Sequence, residues 1–162
     1  RAPLGLWRAP LGGEPDMALP TREQPDRWGD GYVSLWNAGD KGAWEKNWRA
    51  VAPGEFRMVD PVGTPERRGF YEYCLAPFDL FQPVIRYEVP KQTRFLCANE
   101  VGWVMHNHFR IGGQEILMRS IETFRFDADG SVLLRTWYDV PGPDSPLGKL
   151  FATYLPGHHR PA

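Results

Sequence analysis

Residues 101–126 read VGWVMHNHFRIGGQEILMRSIETFRF, and this stretch decides the fold. Apolar and polar residues alternate on both sides of Gly112-Gly113, which is the two-residue period of a β-strand. A Gly-Gly pair between two such runs predicts a tight hairpin turn, because glycine readily adopts the backbone conformations that these turns need. The stretch therefore predicts two long antiparallel strands, over residues 101–109 and 115–126.

Shorter runs on both sides of this hairpin extend it into a sheet. Residues 84–89 and 93–99 precede it and have strand-like composition. After the hairpin, Ala128-Asp129-Gly130 predicts another turn, and residues 132–139 form the last predicted strand.

A helical period precedes the strands. Trp28, Tyr32 and Trp36 follow one another at four-residue steps, so they lie on one stripe of a helix that begins near Asp26. Asp40 suits the N-cap of a second helix over residues 41–51.

A third helix is predicted over residues 69–81, where Pro77 should shorten or kink it. Helices come first along the chain and hairpin-connected strands follow, and this segregation is typical of an α+β fold. We expect three N-terminal helices to pack on one face of a curved, mostly antiparallel β-sheet and to enclose a pocket with it.

Bulk composition excludes several classes of protein. The chain has 162 residues, which is the length of one domain. Its net charge of −1 gives no overall electrostatic attraction for nucleic acid or acidic membranes. No apolar run approaches the roughly 20 residues that span a bilayer. The two cysteines, Cys74 and Cys97, have no metal-type or disulfide-framework spacing. The default expectation is a cytoplasmic protein.

The chain divides into three parts by composition. Residues 1–16 contain a repeated Arg-Ala-Pro-Leu-Gly and are interpreted as an arm, a tag or an over-called start. Residues 17–143 form the single α+β domain, and residues 144–162 form a C-terminal tail in which 147–154 has the length of one short helix.

Asp60 stands where a strand ends. Glu55 to Val59 alternate in polarity, and Pro61 cannot continue a strand ladder, so Asp60 follows Phe56 and Met58 on the apolar face at the end of the run. Such a carboxylate is either a base aimed into a cavity or a turn cap that faces water.

Glu122 is a second carboxyl on an apolar face. It shares one side of the strand with Met118, Phe124 and Phe126, and burial there should raise its pKa and keep it protonated. A neutral carboxylic acid can donate a hydrogen bond. The alternatives are an ion pair between Glu122 and Arg135, or exposure of Glu122 beyond the sheet edge.

The face that carries Glu122 predicts the residues of a substrate pocket. They are Trp103, Met105, Asn107, Phe109, Met118, Ser120 and Phe124. Trp137 and Asp139 join this pocket if the last strand points the same way, which residue parity alone leaves open.

Three segments resemble the ketosteroid isomerases, within the nuclear transport factor-like (SnoaL-like) superfamily. Residues 32–40 (YVSLWNAGD) are similar to the first-helix segment, 59–63 (VDPVG) to the segment of the general base, and 121–126 (IETFRF) to a strand that carries an oxyanion donor. The resemblance spans Tyr32 to Asp139 and implies a cone-like α+β fold. Glu122 stands where the family usually has Asp.

The resemblance implies catalytic roles for Tyr32, Asp60 and Glu122. Asp60 would remove a proton between a ketone and a double bond, and Tyr32 and neutral Glu122 would bind the dienolate oxygen before Asp60 returns the proton. In ketosteroid isomerase itself, an apolar site keeps one carboxylic acid protonated so that it can donate a hydrogen bond, and the role given to Glu122 follows that case. The expected ligand is a small apolar ketone or steroid-like molecule, without a cofactor, and the resemblance implies a homodimer built through the outer sheet face.

Other functions compatible with the same fold remain open. Residues 135–139 (RTWYD) resemble the closing segment of limonene epoxide hydrolases, so an epoxide hydrolase is one alternative. Two further alternatives are a dehydratase that uses His106 or His108 and a non-catalytic protein that binds a small molecule. These two histidines share a strand face, which permits metal ligation in principle, but no further ligand is spaced convincingly in the sequence and we expect an outer surface. No metal site, nucleic-acid partner or membrane partner is therefore predicted.

Overall fold

The computed structural model describes residues 23–154. The predicted arm, residues 1–16, and the histidines at 158 and 159 lie outside this range. Helix α1 (Glu23–Ala38) begins three residues before the predicted start near Asp26, and helix α2 (Lys41–Val51) has its predicted bounds. The Asp40 side chain caps α2 by accepting a hydrogen bond of 2.9 Å from the Ala43 amide.

Seven strands form one sheet over the described residues. Their order across the sheet is β2-β1-β7-β6-β5-β3, and β4 pairs with β5 beyond this path. Among the strands of residues 23–154, neighbouring pairs are antiparallel except β1 with β7, which are parallel. The strands are β1 (Phe56–Val59), β2 (Arg67–Arg68), β3 (Ile85–Glu88), β4 (Phe95–Cys97), β5 (Glu100–Ile111), β6 (Gln114–Phe126) and β7 (Val132–Trp137).

The β5–β6 hairpin confirms the prediction made from residues 101–126. The two strands pair from Glu100 with Arg125 to Ile111 with Gln114. Burial alternates along both strands, so one face of the hairpin is buried and the other meets solvent. The mostly antiparallel sheet with helices on one face is the predicted α+β architecture.

Helix α1 packs on the inner face of the sheet through large rings. Trp28 stacks on Trp103 of β5 at 5.4 Å between ring centroids and meets Phe124 of β6 edge-on at 5.0 Å. Gly29 permits this close approach, because a Cβ there would lie 3.1 Å from the Trp103 ring. Helix α2 joins the same cluster through Trp48, whose ring lies 5.1 Å from that of Trp28.

The predicted third helix changes character in its middle. A π-helical turn (Tyr71–Leu75) leads directly into helix α3 (Ala76–Phe81). Pro77 lies in the first turn of α3, directly after the π-helical turn, and it supplies no backbone N–H to the carbonyls of that turn. The interruption that Pro77 predicts is therefore a change in helical type.

Helix α4 (Pro146–Tyr154) returns the chain to the domain. The Ser145 hydroxyl caps it by accepting a hydrogen bond of 2.9 Å from the Gly148 amide, and Pro146 follows at the first helical position. Phe151 packs against Phe81 of α3 and Tyr138 after β7, with centroid separations of 5.7 and 5.4 Å. The end of α4 thus covers the space between α3 and the sheet.

Two further observations complete the fold. Strand β2 (Arg67–Arg68) was not predicted, because two charged residues carry no apolar alternation. Among residues 23–154, none of the helices has the length and apolar character that crossing a bilayer requires.

Candidate active site

One cavity lies between the helices and the inner face of the sheet. Its volume is about 100 Å³. Every element except β2, β4 and the 3₁₀ turn at Lys91–Thr93 contributes to its wall or borders it. The polar groups on the wall come from Tyr32, Asp60, Tyr73, Cys74, Tyr87, Asn107, Ser120, Glu122, Thr136, Tyr138 and Tyr154.

Asp60 meets this cavity at the end of β1. Its Oδ2 accepts a hydrogen bond of 2.6 Å from the Tyr154 hydroxyl of α4, while its buried Oδ1 has no hydrogen-bond partner among the described residues. Burial raises the pKa of this carboxyl, and the Tyr154 hydroxyl partly offsets the rise. The Tyr138 hydroxyl lies outside hydrogen-bonding geometry but close enough to lower the same pKa.

Strand β2 brings a cation to the outer side of Asp60. The Arg67 guanidinium donates to the backbone carbonyl of Asp60 and lies 5.4 Å from the Tyr154 ring centroid. Its positive charge lowers the pKa of the Asp60 carboxyl. Arg67 therefore positions both the base candidate and the tyrosine that contacts it.

Glu122 is held in the cavity wall by a hydrogen bond from Trp103. Its side chain is only 8% exposed, and its Oε2 accepts a hydrogen bond of 2.9 Å from Trp103 Nε1. Burial raises the pKa of Glu122 to about 8, the indole N–H lowers it in part, and the charge of Asp60 raises it further. Glu122 is consequently protonated at neutral pH. The ion pair with Arg135 considered above does not form, because Arg135 pairs with Glu100.

Tyr32 reaches the cavity from the buried stripe of α1. Its ring stacks on Tyr87 of β3 at 5.9 Å with an interplanar angle of 8°. The backbone of Tyr87 is itself held by Asn37, through two hydrogen bonds of 2.8 Å. Burial raises the pKa of the Tyr32 phenol well above its ordinary value, and the charge of Glu122 adds to this rise. Tyr32 is therefore a neutral hydrogen-bond donor.

Asn107 of β5 and Ser120 of β6 form a neutral polar pair on the cavity wall. Asn107 Nδ2 donates to Ser120 Oγ at 3.0 Å and to the Met118 carbonyl at 3.2 Å. Both side chains are buried on the cavity wall. This pair makes one side of an otherwise aromatic cavity polar without adding charge.

The structure brings the three predicted catalytic residues to one cavity. Tyr32, Asp60 and Glu122 line it, and so do four of the predicted pocket residues: Asn107, Phe109, Met118 and Ser120.

Five predicted pocket residues lie elsewhere. Trp103, Met105 and Phe124 are on the inner face of the sheet but are fully buried outside the cavity wall. The ring of Trp28 packs on Trp103 and Phe124. Trp137 and Asp139, whose orientation strand parity had left open, do not line the cavity. Thr136 and Tyr138 of the same segment face the cavity, so strand alternation turns Trp137 outward, under the Arg135 guanidinium, and leaves Asp139 exposed.

Sequence reasoning missed the tyrosines around Asp60. Tyr154 follows Leu147 and Phe151 at helical spacing, so the apolar stripe of α4 was a usable signal that the tail packs on the domain. Tyr138 and Tyr87 carried no such signal, because strand parity does not say which face is inner.

The comparisons with known proteins identify the fold. No protein-family model matches the chain, and no curated protein matches it. The solved structure of SalBIII, an epoxide hydrolase/cyclase-like enzyme in pyran ring formation in the polyether salinomycin, is 13% identical with a TM-score of 0.60 and covers 74% of this chain and 93% of its own.

Two further solved structures have the same fold. An NTF2-like protein of unknown function from Cytophaga hutchinsonii ATCC 33406 is 16% identical, with a TM-score of 0.50 and coverage of 70% of this chain and 88% of its own. A protein from Jannaschia sp. CCS1 that is named a SnoaL-like polyketide cyclase is 16% identical, with a TM-score of 0.51 and coverage of 70% and 86%. The chain thus has the cone-like fold of the NTF2-like, or SnoaL-like, proteins.

The arrangement of the cavity suits acid–base chemistry. One carboxyl, Asp60, has a free oxygen and hydroxyl neighbours, and the other, Glu122, retains a proton at neutral pH. Two carboxyl groups with different hydrogen-bond partners in one largely apolar space are suited to exchanging protons with the same small molecule.

Proposed function

We propose that this protein is an isomerase of β,γ-unsaturated ketones in which Asp60 moves a proton between two carbon atoms. Tyr32 and neutral Glu122 hold the ketone oxygen during this transfer. The observation that supports the proposal is that two carboxyls with different hydrogen-bond partners share one cavity, and that Glu122, with a pKa of about 8, keeps its proton at neutral pH. Two acids with the same pKa would not divide the work of base and donor in this way.

The donor role of Glu122 is supported by its one contact. Trp103 occupies Oε2 with an N–H, so the carboxylic proton resides on Oε1 and is available to an acceptor in the cavity. Tyr32 adds a second neutral donor on the same cavity wall. Two hydrogen bonds to an oxygen that gains charge in the transition state stabilise it more in this cavity than they would in water, because the cavity has a low dielectric constant.

The reaction conserves all atoms. Asp60 Oδ1 takes the proton from the carbon between the carbonyl and the double bond, and the electron pair of that C–H bond moves toward the carbonyl to give a dienolate. Protonated Asp60 then returns the proton to the far carbon of the former double bond. The product is the conjugated ketone, and the enzyme is unchanged.

The size of the cavity bears on the substrate. Pockets for drug-sized ligands have volumes of roughly 300–1,000 Å³, and a cavity of about 150 Å³ holds benzene. The cavity of about 100 Å³ therefore favours a single-ring ketone over the steroid that the sequence resemblance implies. We expect a steroid to enter only if α4, whose Phe151 and Tyr154 line the cavity, moves away from Asp60.

The test is ultraviolet absorbance of the conjugated enone that the reaction forms. We expect turnover of 3-cyclohexen-1-one, with 5-androstene-3,17-dione as the larger comparison. Asp60→Asn should abolish turnover, because an amide cannot accept the proton. Asp139→Asn is the matched control, since this exposed aspartate lies outside the cavity, and it should retain full activity.

Two results would contradict the isomerase. One is the absence of turnover of both ketones by a folded protein, and the other is equal activity of the wild type and Asp60→Asn. Tight binding of a phenol without any turnover would instead support a binding protein.

An epoxide hydrolase or cyclase is the second candidate. It is favoured by the likeness to SalBIII and by the same pair of carboxyls. Neutral Glu122 would protonate the epoxide oxygen while Asp60 takes the proton of the attacking water or hydroxyl, so that the C–O bond breaks as the new one forms. Conversion of cyclohexene oxide to its diol, with loss of activity in Glu122→Gln, would support this candidate over the isomerase.

The proposal includes a homodimer through the outer face of the sheet. Leu117 and Ile121 are exposed there by 55% and 51%, and large apolar side chains at such levels are a common feature of protein interfaces. Gel filtration with light scattering should give a dimer for the wild type and a monomer for Leu117→Arg/Ile121→Arg. A monomeric wild type would remove the dimer and leave the isomerase standing.

A further inference from the structure

Three potential metal ligands meet on the outer face of the sheet, opposite the cavity. Glu88 of β3 pairs directly with His106 of β5, and His108 follows two residues later. Strand alternation puts all three side chains on one face, while Asn107 between the histidines points into the cavity. The group is defined by strand register, so its backbone positions do not depend on a loop.

The spacing of the ligand atoms matches a transition-metal site. Glu88 Oε2 lies 3.1 Å from His108 Nε2 and 3.5 Å from His106 Nδ1, and the three ligand atoms all lie within 4.8 Å of one another. Zinc bonds of about 2.0–2.1 Å in tetrahedral geometry put neighbouring ligand atoms roughly 3.3–3.4 Å apart. Two of the three separations lie within about 0.3 Å of this value, and the third, between the two histidine nitrogens, is at most 4.8 Å.

Charge and access also suit a cation. Glu88 supplies a carboxylate that faces both imidazoles, at 3.1 Å from His108 and 3.5 Å from His106. In a single subunit the side chain of Glu88 is 58% exposed, and those of His106 and His108 are 27% and 48% exposed, so the site is open to solvent. Leu117 of the proposed dimer face pairs with His108, so the second subunit of such a dimer would lie beside the site.

Two arginines share this face. The Arg86 guanidinium is held by the carbonyls of Gln82 and Ile85, at 2.7 and 2.8 Å. Arg119 of β6 pairs with His106, and its positive charge lowers the affinity of the site for a cation. We therefore expect micromolar binding and not the tight affinity of a structural zinc site.

We propose that Glu88, His106 and His108 form a surface site for Zn²⁺, with the fourth position open to water or to a ligand from another molecule. Two neutral imidazoles and one carboxylate are a ligand set that zinc prefers, and copper and nickel should bind the same set. The site lies on the opposite face of the sheet from Asp60 and Glu122. It is therefore independent of the proposed isomerase.

The geometry makes a specific statement about the two rings. His106 presents Nδ1 to the shared carboxylate oxygen and His108 presents Nε2. On binding zinc, His106 should carry its proton on Nε2 and His108 on Nδ1. Long-range ¹H–¹⁵N spectra of the imidazoles distinguish these tautomers.

The experiment is a competition titration of the untagged full chain with Zn²⁺ and a chromophoric chelator. We expect one equivalent to bind at micromolar concentration, and Glu88→Gln and His108→Ala each to weaken binding at least tenfold. Two control variants should bind as the wild type does: His158→Ala/His159→Ala, which removes the other two of the four histidines, and Cys97→Ser, which removes the exposed thiol.

Several outcomes would overturn the site. These are no binding by the wild type, binding that survives both Glu88→Gln and His108→Ala, and binding that disappears in the His158→Ala/His159→Ala control. The substitutions are on exposed side chains, and far-ultraviolet circular dichroism of each variant shows that the fold is retained. If one variant does not fold, the tautomers of the wild-type histidines with and without zinc decide the question.

Discussion

At the scale of single residues, the two acids of the cavity differ because their surroundings differ. Asp60 lies beside two tyrosine hydroxyls and the Arg67 guanidinium, all of which lower its pKa. Glu122 has one indole N–H, and the negative charge of Asp60 raises its pKa. Burial raises both values, so the difference between the acids comes from their partners.

The first prediction concerns the proton on Glu122. Activity should rise with pH as Asp60 ionises and fall near pH 8 as Glu122 loses its proton. In Glu122→Gln the amide still donates, so most activity should remain and the fall near pH 8 should disappear. In Glu122→Leu, kcat should drop by about 10²–10³, the usual effect of losing one oxyanion donor.

The measurement is a pH profile of kcat/KM for the three proteins. If Gln and Leu reduce activity equally, the carboxylic proton of Glu122 has no role in the reaction. If the fall near pH 8 persists in Glu122→Gln, another group titrates there.

The second prediction concerns Tyr154, whose hydroxyl donates to Asp60 at 2.6 Å. Tyr154→Phe removes a hydrogen bond that favours the ionised carboxylate, so the pKa of Asp60 should rise. The rising limb of the pH profile should move to higher pH, and the free energy of unfolding should fall by about 1–3 kcal/mol.

Tyr73→Phe is the matched control for this change. Tyr73 lines the same cavity but has no part in the pKa of Asp60. A rising limb that does not move in Tyr154→Phe, or that moves equally in Tyr73→Phe, would show that the hydroxyl of Tyr154 does not tune the base.

At the scale of elements, α4 decides how open the cavity is. Gly148 of α4 lies against the loop before it, and a Cβ there would be 1.9 Å from the Gly142 carbonyl oxygen and 2.7 Å from its carbon. Backbone atoms cannot yield at such distances, so only a glycine lets α4 sit in this position. The seating of α4 in turn brings Tyr154 to Asp60.

The third prediction is that Gly148→Ala displaces α4. The displaced helix should uncover the cavity, so the ratio of kcat/KM for 5-androstene-3,17-dione to that for 3-cyclohexen-1-one should increase. Thermal unfolding should occur at lower temperature, because Phe151 loses contact with Phe81 and Tyr138.

Gly142→Ala provides the control, since a Cβ at Gly142 would meet nothing within 4 Å. It should leave both the substrate ratio and the unfolding temperature unchanged. A substrate ratio that stays the same in Gly148→Ala, in a protein whose unfolding temperature has fallen, would show that α4 does not restrict access.

At the scale of the whole molecule, the buried acid makes stability depend on pH. The pKa of Glu122 is about 8 in the folded state against an ordinary value of 4.5. Between these values the folded state holds one proton more than the unfolded state, so the free energy of unfolding falls as pH rises, by up to about 1.4 kcal/mol per pH unit. The contribution of neutral Glu122 to the free energy of unfolding is therefore fully present below pH 4.5, decreases as pH rises above 4.5, and is lost once pH has passed through 8.

The fourth prediction compares Glu122→Gln with the wild type in urea at pH 5 and pH 8. The variant has no carboxyl to ionise, so its stability relative to the wild type should increase by about 2–4 kcal/mol between the two pH values. Glu115→Gln, on an exposed ion pair with Arg110, should show no such change. An equal difference at both pH values would mean that Glu122 is not buried as a neutral acid.

The sequence by itself determined the architecture and the face of the sheet on which Glu122 lies. Alternation on both sides of Gly112-Gly113, the helical stripe of Trp28, Tyr32 and Trp36, and the cap at Asp40 are local signals, and local signals specify elements and the faces that they bury. For that reason Glu122 could be assigned to an apolar face before any coordinates were known.

Only the tertiary structure decided how close the functional groups come to one another. The period of a strand says which residues share a face, but not which face is inner, so Trp137 and Asp139 were assigned to the cavity and Tyr138 was not. Tyr154 is 94 residues from Asp60 along the chain and contacts it because α4 folds back over the sheet. Contacts of this kind depend on packing between elements, and no local pattern encodes them.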